Sequence, residues 1–537
     1  MRLYHPSSLF VFLVLGVVLI SGCTPTVTPT VSMISGSVFV DGQVYQLQLV
    51  PGTTVGEALQ SLEINLNTLD RVEPPPSSVV VDQAEIMVTR IREEFEIEQV
   101  EIPFDQKRLP TELLSEGVEQ YDPLQKGEPG LQEITYRILY EDGVEISRTQ
   151  IKTTVIQEPQ TQIILYGTRQ KHTPLDIPGE LVYLSQGNAI LFNKNTANRV
   201  PIVNSGDLDG RIFTLSQDGT WLMFSRHGVV ENVINTLWAV SLDDPETIID
   251  LKTENVIHFA DWVPGSNTKF IYSTVEPRQV APGWQANNNL LTREFSTSGW
   301  VSPVKTLVDS NSGGVYGWWG VDYAYAPAMN TLAYAGPDEI GILDLANETR
   351  ETLLPVVPLQ TRSDWAWVPG MHWSPDGSVL YTVDHVPPPG VINPEEAQDF
   401  DLVAILVDSN IHVSLISDVG MFAYPIPSTI QVQPSGENAY SIAYLQAIFP
   451  QQSETSRYRL CVMDRDGSNR KEIFPSSTSP GIEPSEGWGA WSPGPLEITG
   501  GYVVAALYQG NIWFIDPDTG NSWQVTGDGM IDRIIWR

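Results

Sequence analysis

The amino-acid sequence predicts a mainly β protein in which one strand–turn–strand unit recurs along the C-terminal part of the chain. The clearest copy of this unit is the turn Trp373–Gly377, with the strand-like run Val379–Val383 directly after it. Proline presets φ at the second turn position and glycine accepts a positive φ, so Trp-Ser-Pro-Asp-Gly marks a tight turn. A spacing of roughly 45 to 65 residues between copies is close to that of propeller blades. Degraded copies occur at Leu215–Gly219, Trp262–Gly265, Tyr325–Pro327, Val432–Gly436 and Trp491–Gly494.

The charge balance of the chain is strongly acidic. The sequence has 65 Asp and Glu residues against 30 Lys and Arg residues, which gives a formal net charge of −35 over 537 residues. Such a surface repels phosphate backbones, so the sequence predicts no nucleic-acid partner. The same charge fits a simpler interpretation, the solubility of an exported protein. The chain is too long for one ordinary core, so several domains are expected.

The N-terminus carries a targeting signal. Arg2 precedes an apolar run, Leu9–Ile20, which is too short for a comfortable membrane span and is placed as in a signal peptide. The run ends in Ile20-Ser21-Gly22-Cys23, which resembles the bacterial lipobox. That resemblance implies that residues 1–23 are a lipoprotein signal peptide and that Cys23 becomes a diacylated N-terminus. A plain secretory signal, in which this cysteine is incidental, is the alternative.

A short polar tether follows the cysteine. Residues 24–33 are rich in Thr and Pro, a composition that favours an extended, solvated chain. Acyl chains on Cys23 would hold the protein stably on a bilayer. The sequence therefore predicts a protein anchored to the cell membrane by lipid and facing outside the cytoplasm.

Residues 34–92 predict a small α+β module of the β-grasp type. Asp41-Gly42 between two strand-like runs is a hairpin signal. Thr54 is placed to cap a helix whose apolar residues recur at helical spacing. The segment resembles the ubiquitin-like module of resuscitation-promoting factors and related surface proteins. The residues that carry this resemblance are Val55–Leu59 and Leu69–Val72.

Residues 93–169 predict an elongated, strand-rich module with glycines where the chain reverses direction. Directly after a ubiquitin-like module, this pattern resembles the G-five (G5) domain. The resemblance implies binding of wall polymers that contain N-acetylglucosamine. The alternative is a stalk that lifts the rest of the chain off the membrane. The turn glycines are Gly117, Gly127, Gly130 and Gly143.

Residues 179–537 are predicted to form a β-propeller. Each repeated turn is followed by a hairpin that ends in Asp, as at Ile512–Asp516, and the whole region resembles the TolB-type and WD-like propellers. Glu180–Tyr183 look like part of a blade that lacks its first strand, and Ile531–Trp536 look like a first strand with nothing after it. Joined, the two ends complete one blade and remove an open edge. We expect about seven four-stranded blades.

Motifs for catalysis and for cofactor binding are absent from the sequence. It contains no Gly-x-Ser-x-Gly, His-Glu-x-x-His, Walker or dinucleotide-binding pattern, and its histidines and two cysteines show no ligand spacing. The turns Asp464–Gly467 and Asp516–Gly520 superficially resemble calcium loops, but in the repeat they are hairpin turns. Cys461, between apolar neighbours, is expected to be a buried thiol. The sequence therefore predicts no enzyme activity, no cofactor and no metal site.

Long predicted loops and a group of tryptophans share one face of the predicted propeller. Connections between the second and third strands emerge on the same side as connections between consecutive blades, and such loops usually carry binding. Tryptophans there could stack on sugar rings or anchor a protein partner. The alternative is that they wedge between blades or pin their own loops. The candidate ligand-binding residues are Trp284, Trp318, Trp319, Trp365, Trp367 and Trp488.

Binding or scaffolding at the cell envelope is the function that these features predict, with a wall glycan or an envelope protein as ligand. The alternative is an extracellular polysaccharide hydrolase or lyase that uses loop-borne carboxylates, for which Asp364, Asp384 and Glu395 are candidates. Carboxylates clustered around one pocket would favour the enzyme, and dispersed carboxylates would favour binding.

The lipid anchor can be tested by replacing its cysteine. We expect Cys23→Ala to move the protein from the detergent phase to the aqueous phase, because the acyl chains supply the membrane attachment. Thr24→Ala, which leaves the cysteine intact, should stay in the detergent phase. A Cys23→Ala protein that remains with membranes after a salt wash would contradict the lipoprotein interpretation.

Overall fold

The structure is a computed structural model that describes residues 32–122, 125–169, 172–327, 331–347, 349–432 and 438–537. The predicted signal peptide, Cys23 and most of the predicted tether lie outside these residues. The described chain is mainly β and divides into two compact units. One unit contains residues up to 105 together with 127–162, and the other contains 106–126 together with 163–537.

A four-stranded sheet with one helix forms the start of the first unit. The elements are β1 (Ile34–Val40), β2 (Gln43–Leu49), α1 (Val55–Ser61), β3 (Arg71–Glu73) and β4 (Ala84–Thr89), and the strand order is β2-β1-β4-β3. Strand β1 pairs antiparallel with β2 and parallel with β4, which is the β-grasp arrangement that the sequence predicts.

The helix begins where the sequence places its cap. Glu57 N donates to Thr54 Oγ1 at 3.3 Å, and Thr54 N donates to Glu57 Oε2 at 2.9 Å. This reciprocal pair satisfies donors that a helix N-terminus otherwise leaves unbonded. The apolar side of the helix then packs on the sheet through Val55, Ala58 and Leu59, which are buried.

Six strands follow between residues 91 and 169. They are β5 (Ile91–Ile102), β6 (Gln106–Ser115), β7 (Glu119–Tyr121), β8 (Gly130–Glu141), β9 (Val144–Gln157) and β10 (Gln162–Arg169). Strands β5-β8-β9 form a long three-stranded sheet in the first unit, and β6-β10-β7 form a shorter one in the second. The β8–β9 hairpin turns at Asp142 and Gly143, both at positive φ, as a two-residue hairpin loop requires.

The rest of the chain is a succession of short strands. The first half contains β11 (Leu181–Ser185), β12 (Asn188–Phe192), β13 (Arg199–Val203), β14 (Leu208–Leu215), β15 (Trp221–His227), β16 (Asn235–Ser241), β17 (Ile248–Glu254), β18 (Ala260–Trp262), β19 (Lys269–Tyr272), β20 (Val275–Pro277), β21 (Trp284–Ala286), β22 (Leu290–Glu294), β23 (Lys305–Val308), β24 (Asp322–Tyr325), β25 (Thr331–Ala335), β26 (Glu339–Asp344) and β27 (Thr349–Pro355). The second half contains β28 (Met371–Trp373), β29 (Val379–His385), β30 (Phe400–Leu406), β31 (Ile411–Ile416), β32 (Ile426–Pro427), β33 (Gln431–Val432), β34 (Asn438–Ala439), β35 (Ser441–Ala447), β36 (Tyr458–Asp464), β37 (Lys471–Phe474), β38 (Gly489–Trp491), β39 (Val504–Tyr508), β40 (Asn511–Ile515), β41 (Ser522–Gln524) and β42 (Ile531–Trp536). Short 3₁₀ turns lie at Pro394–Glu396, Val407–Ser409 and Pro450–Gln452.

Across the described part of 172–537, these strands form seven four-stranded antiparallel sheets, which we number I to VII. In strand order from first to fourth they are β42-β11-β12-β13, β14-β15-β16-β17, β18-β19-β22-β23, β24-β25-β26-β27, β28-β29-β30-β31, β32-β35-β36-β37 and β38-β39-β40-β41. Two small hairpins, β20–β21 and β33–β34, are inserted into sheets III and VI.

Sheet I joins the two ends of this region. Strand β42 pairs antiparallel with β11, from Leu181 opposite Trp536 to Ser185 opposite Ile531. This is the pairing that the sequence predicts. The pairing leaves neither strand as an open sheet edge on that side.

The first strands of the sheets lie beside one another. Strand β42 contacts β14 and β38, β14 contacts β18, and β24, β28, β32 and β38 contact each other in succession. Between sheets III and IV the rings of Phe259 and Tyr323 pack at a centroid distance of 5.2 Å. The first strands therefore pack beside one another, and we call the side of each sheet on which its first strand lies the axial side.

The repeated Ser-x-Asp-Gly turn is stabilised by its own side chains. Ser374 Oγ donates to Asp376 Oδ1 at 2.6 Å and accepts from Val379 N at 2.9 Å, and Gly377 has a φ of 72°. The degraded copy at Ser216 and Asp218 makes the same bonds. The serine and aspartate thus satisfy main-chain donors that the tight turn leaves unpaired.

Tryptophans at the ends of first strands bond neighbouring sheets together. Trp262 Nε1 donates to Thr214 O at 3.2 Å, Trp373 Nε1 to Ala324 O at 2.9 Å, and Trp491 Nε1 to Ile426 O at 2.8 Å. In each case the acceptor lies in the first strand of the preceding sheet. The tryptophan of the repeat is therefore a contact between sheets, with its apolar ring buried and its N–H paired.

Two segments of the sheet region add detail to the predicted organisation. Leu175 and Ile177 precede the predicted start at residue 179 and are buried in the core, because their main chain bonds to the β12–β13 connection. The connection between β19 and β23 contains the β20–β21 hairpin and strand β22. Cys461 is buried, as predicted.

The β11–β42 pairing can be tested at Trp536. Its ring stacks on Phe514 at 5.0 Å and its Nε1 donates to Pro178 O at 2.7 Å. We expect Trp536→Ala to cost about 3–5 kcal/mol of unfolding free energy, since it removes a buried aromatic side chain. Trp300, which is 57% exposed, provides the control, and Trp300→Ala should leave the melting temperature almost unchanged. Equal melting of the two variants would contradict the closure by β42.

Candidate functional site

The direction of the strands places many connections at one end of the sheet region. Each sheet is an antiparallel meander whose first strand packs beside the first strands of neighbouring sheets. Connections between second and third strands and connections between consecutive sheets therefore lie together, at what we call the loop end. The opposite end carries the tight turns. All six candidate tryptophans belong to segments at the loop end.

Three of these tryptophans form a cluster, which we call the rim cluster. The rings of Trp284 and Trp319 pack at 5.3 Å, and those of Trp318 and Trp319 at 5.9 Å. Trp284 Nε1 donates to Trp319 O at 3.5 Å, which ties the β20–β21 hairpin to the connection before sheet IV. All three side chains are partly exposed. Aromatic surface that is fixed in position and still accessible is suited to stacking on a ligand.

His258 and Arg211 complete the rim cluster. The His258 ring lies 5.6 Å from that of Trp319 and 6.1 Å from that of Trp284, and the Arg211 guanidinium lies 5.1 Å above the Trp284 ring. Burial lowers the pKa of His258 to about 4, so its ring is neutral at physiological pH. Arg211 is therefore the positively charged side chain of the rim cluster. Its guanidinium already makes a cation–π contact with one face of the Trp284 ring.

Three ionisable side chains on the first strands and on the connections that lead into them form a second group, which we call the axial charges: Asp322, Glu486 and Arg533. Arg533 Nη1 donates to Arg211 O at 2.7 Å, and Arg533 Nη2 lies 3.6 Å from Glu486 Oε2. Burial raises the pKa of Asp322 well above the usual range, and the nearby Glu486 charge raises it further while Arg533 opposes the change. Asp322 belongs to sheet IV, whereas Glu486 lies in the connection before sheet VII and Arg533 lies in sheet I.

Packed aromatic rings connect Tyr424 with Trp365. Burial raises the pKa of the Tyr424 hydroxyl well above 10, and the charges of Glu486 and Asp322 raise it further. Its ring stacks on Phe422 at 5.9 Å, and Phe422 lies 6.5 Å from the Trp365 ring. Trp365 is partly exposed. Trp365 thus belongs to a separate row of packed aromatic rings at the loop end.

An axial cavity of about 550 Å³ opens beside these groups. Glu486 and Arg533 line one part of it, and His372, Gln217 and Arg537 line the rest. This volume falls within the range of about 300–1,000 Å³ that is common for small-molecule sites. Burial lowers the pKa of His372 to about 4, and its Nδ1 is without a hydrogen-bond partner among the described residues. The cavity therefore contains a neutral imidazole with an unused polar atom.

The other two candidate tryptophans are buried. Trp367 is 2% exposed and its Nε1 donates to Met421 O, and Trp488 is fully buried and its Nε1 donates to Tyr424 O, both at 3.1 Å. Neither ring presents a face to a ligand. They fit the alternative that the sequence left open, in which tryptophans hold neighbouring sheets together. They also fix the segments that carry Tyr424 and Phe422.

The candidate carboxylates of the enzymatic alternative lie on neighbouring segments around sheet V. Asp364 is exposed in the connection before sheet V, Asp384 lies on β29 opposite Asp401, and Glu395 lies in a 3₁₀ turn. The segments touch, since Gln360 N donates to Glu395 O at 2.7 Å and His385 Nε2 lies 2.9 Å from Ala397 O. Within the described residues, no hydrogen bond, ion pair or electrostatic interaction joins any two of the three carboxylates themselves.

Sequence reasoning missed the axial charges, His258 and Arg211. These residues come from five different repeats, so no local spacing connects them. The sequence does contain a signal for two of them, because Asp322 lies three residues before Tyr325 and Arg533 lies three residues before Trp536. When the repeats are aligned on the aromatic residue that ends the first strand, these two opposite charges occupy the same strand position. Residues at the same position of equivalent strands lie on the same face.

The described part of the chain shows neither a metal cluster nor a spanning helix. No group of three or more His, Cys, Asp or Glu side chains in it is arranged to hold a metal ion. None of its helices has the length and apolarity that crossing a membrane requires.

Comparison with known proteins assigns the N-terminal part of the chain. The model of the G5 domain matches residues 93–169, and the model of the G5-linked-Ubiquitin-like domain matches residues 37–77. Resuscitation-promoting factor RpfB of Mycolicibacterium smegmatis is 32% identical over 147 residues, which are 27% of this chain and 38% of that protein. The chain thus spans less than half of the length of this relative. The predicted resemblance is confirmed for this part: a G5-linked ubiquitin-like domain precedes a G5 domain.

Solved structures are similar to different parts of the chain. The G5 domain of IgA1 protease is 23% identical, covers 15% of this chain and 94% of its own, and has a TM-score of 0.13. A putative 6-phosphogluconolactonase from Bacteroides fragilis is 10% identical, covers 66% of this chain and 97% of its own, and has a TM-score of 0.40.

Asp384 gives a pH-dependent prediction. Burial raises its pKa to about 6, with His412 opposing and Asp401 reinforcing the shift. A raised carboxyl pKa means that the folded state loses stability as pH rises from the ordinary range through about 6. Asp384→Asn should therefore melt higher than the parent protein at about pH 8, and this gain should vanish at about pH 4. The control is the exposed Asp364→Asn. A gain that is equal at both pH values would contradict the assigned shift.

Proposed function

We propose that this protein binds a cell-wall glycan at the loop end of a closed, seven-bladed β-propeller and is held at the cell surface by a lipid on Cys23. The observation that carries the proposal is the cluster of partly exposed tryptophans at the loop end, in which the rings of Trp284, Trp318 and Trp319 pack on one another and Arg211 lies over the Trp284 ring. Sugar rings present apolar faces edged by hydroxyls. Fixed aromatic side chains beside polar groups match that surface.

Closure of the propeller is supported by contacts between distant parts of the chain. Strand β42 completes sheet I and also contacts the first strands of sheets II and VII. Arg533 of this strand donates from Nη1 to Arg211 O of sheet II at 2.7 Å. Seven blades lie within the usual range of four to eight.

Location at the wall is supported by the N-terminal domains. A G5 domain occupies residues 93–169, and the sequence resemblance implies that such domains bind polymers containing N-acetylglucosamine. The lipobox-like Ile20–Cys23 would place the chain on the outer side of the membrane. A glycan ligand at the loop end would then give the protein two contacts with the same wall.

Binding is favoured over cleavage because the predicted carboxylates Asp364, Asp384 and Glu395 do not line the axial cavity. An envelope protein is the other class of ligand that exposed tryptophans could anchor. Binding of such a protein, without binding of a glycan, would favour that class of ligand instead.

The proposal is tested with variants at the two ends of the sheets. We expect Trp319→Ala to weaken binding to purified peptidoglycan by about tenfold or more, because truncating an aromatic anchor commonly costs 2 kcal/mol or more. Trp300→Ala removes an exposed indole at the turn end and should bind as the parent protein does. Melting temperatures of both variants establish that they are folded. Equal binding by the two folded variants would contradict the loop-end site.

A further inference from the structure

A small pocket lies between sheets III and IV at the loop end, and its volume is about 50 Å³. Three connections line it: the one before β22, which contains Asn288, residues 311–320 before sheet IV, and the one between β25 and β26, which contains Gly336. Residues 311–320 also carry Trp318 and Trp319 of the rim cluster. The pocket is therefore next to the tryptophans of the proposed site.

Asn288 supplies an unused hydrogen-bond acceptor to this pocket. The residue is 6% exposed, and its Nδ2 donates to Gly317 O at 2.8 Å and to Asn311 O at 3.2 Å. Carbonyl oxygens can only accept, so the amide nitrogen must face these two atoms and the amide oxygen must face away from them. Asn288 Oδ1 is buried and has no hydrogen-bond partner among the described residues. A buried acceptor without a donor is costly, so this atom points to a donor that the described chain does not provide.

The size of the pocket and its apolar wall limit what can enter it. A single water needs about 10–15 Å³ on the same measure of volume, so the pocket has room for roughly three to five heavy atoms and none for a whole sugar ring. Val308, Val321 and Leu343 form the apolar part of its wall. The group that fits is therefore small, with one hydrogen-bond donor and an apolar end.

The charged side chains of the wall already have partners. Arg350 pairs with Glu339 and lies 4.0 Å from the centre of the Tyr334 ring, and Asp338 Oδ2 accepts from Val315 N at 2.9 Å. A charged ligand group would have to compete with these contacts. An uncharged donor that reaches Asn288 Oδ1 would not.

We propose that this pocket binds the acetamido group of an N-acetylated hexosamine, and that Asn288 Oδ1 accepts a hydrogen bond from its amide N–H. The inference rests on the proposed function, because it names the sugar unit that the same site takes. The nitrogen, carbonyl carbon, oxygen and methyl group of an acetamide match the available room, and the methyl end suits the apolar wall. Trp318 and Trp319 then lie beside the sugar ring. The sheet region thus recognises this unit itself, separately from the G5 domain.

Gly336 offers a way to fill the pocket without disturbing its wall. A Cβ on this residue would lie 3.6 Å from Asp338 Oδ1 and 4.0 Å from Val321 Cγ2, which are ordinary contacts, and its φ is outside the left-handed region. Gly336→Ala should therefore fold and place a methyl group in the pocket. Gly501→Ala is the matched control, because a Cβ there would meet open space. Asn288→Ala is a poorer choice, since it also removes two hydrogen bonds that hold residues 311–320.

The test compares three β-1,4-linked pentamers: N-acetylglucosamine, its N-butyryl analogue and glucosamine. Their binding to the full chain is measured by calorimetry, in salt that screens the acidic surface. The acetyl and butyryl forms share an uncharged N–H and differ only in the length of the acyl chain, whereas glucosamine leaves the apolar part of the pocket empty. We expect the acetyl form to bind about tenfold or more tightly than the other two.

The variants assign this preference to the pocket. Gly336→Ala should bind the acetyl form about tenfold more weakly than the parent protein does and should bind glucosamine as before. Gly501→Ala should keep the full preference. Trp319→Ala should weaken all three pentamers, because it removes the surface that contacts the sugar ring.

Three outcomes overturn the inference. Equal binding of the acetyl and butyryl forms would refute selection by the pocket and leave a water molecule as the partner of Asn288 Oδ1, with the glycan site intact. An unchanged preference in folded Gly336→Ala would place recognition of the acetyl group elsewhere in the chain. A peptide of N-acetylalanine that binds as tightly as the acetyl pentamer would assign the pocket to a peptide ligand. Failure of all three pentamers to bind the folded parent protein is a different result, because it would refute the proposed function itself and the inference with it.

Discussion

The pairing of β42 with β11 is the constraint on which the sheet region depends. It brings residues 531–536 beside residues 181–185 and completes sheet I from both ends of the region. Without it, β11 and β38 would each lose a neighbour, and two edges would be open to pairing with other chains. The stacking of Trp536 on Phe514 and its hydrogen bond to Pro178 extend the same junction to sheet VII and to the segment before β11.

The arrangement of side chains beside the rim cluster depends on that junction. Arg533 is carried by the closing strand, and from there it pairs with Glu486 in the connection before sheet VII. The rim cluster is attached to the same arginine through Arg211. A site whose parts come from positions between 211 and 533 can be assembled only when the ends meet. The stability of the β42–β11 pairing and the arrangement of the site therefore depend on the same contacts.

Turn chemistry and hydrogen-bonding side chains made much of this fold predictable. The Ser-x-Asp-Gly turns, the capping pair at Thr54 and the closing strand are local patterns, and the structure contains each of them. Burial of Trp367 and Trp488 could not be predicted, because their surroundings come from neighbouring sheets. The axial charges could not be predicted for the same reason. The raised pKa of Asp322 results from burial by other segments and from the Glu486 charge, and its own strand sequence shows neither.

The coupling of Asp322 with Glu486 and Arg533 tests this account most directly. NMR titration of the Asp322 carboxyl should give a pKa above its ordinary value in the parent protein. This pKa should fall in Glu486→Gln, since a repelling charge is removed, and rise in Arg533→Gln, since an attracting charge is removed. A pKa of Asp322 that neither substitution changes would show that the sheets do not meet around one axis, and it would contradict the site as well as the fold that assembles it.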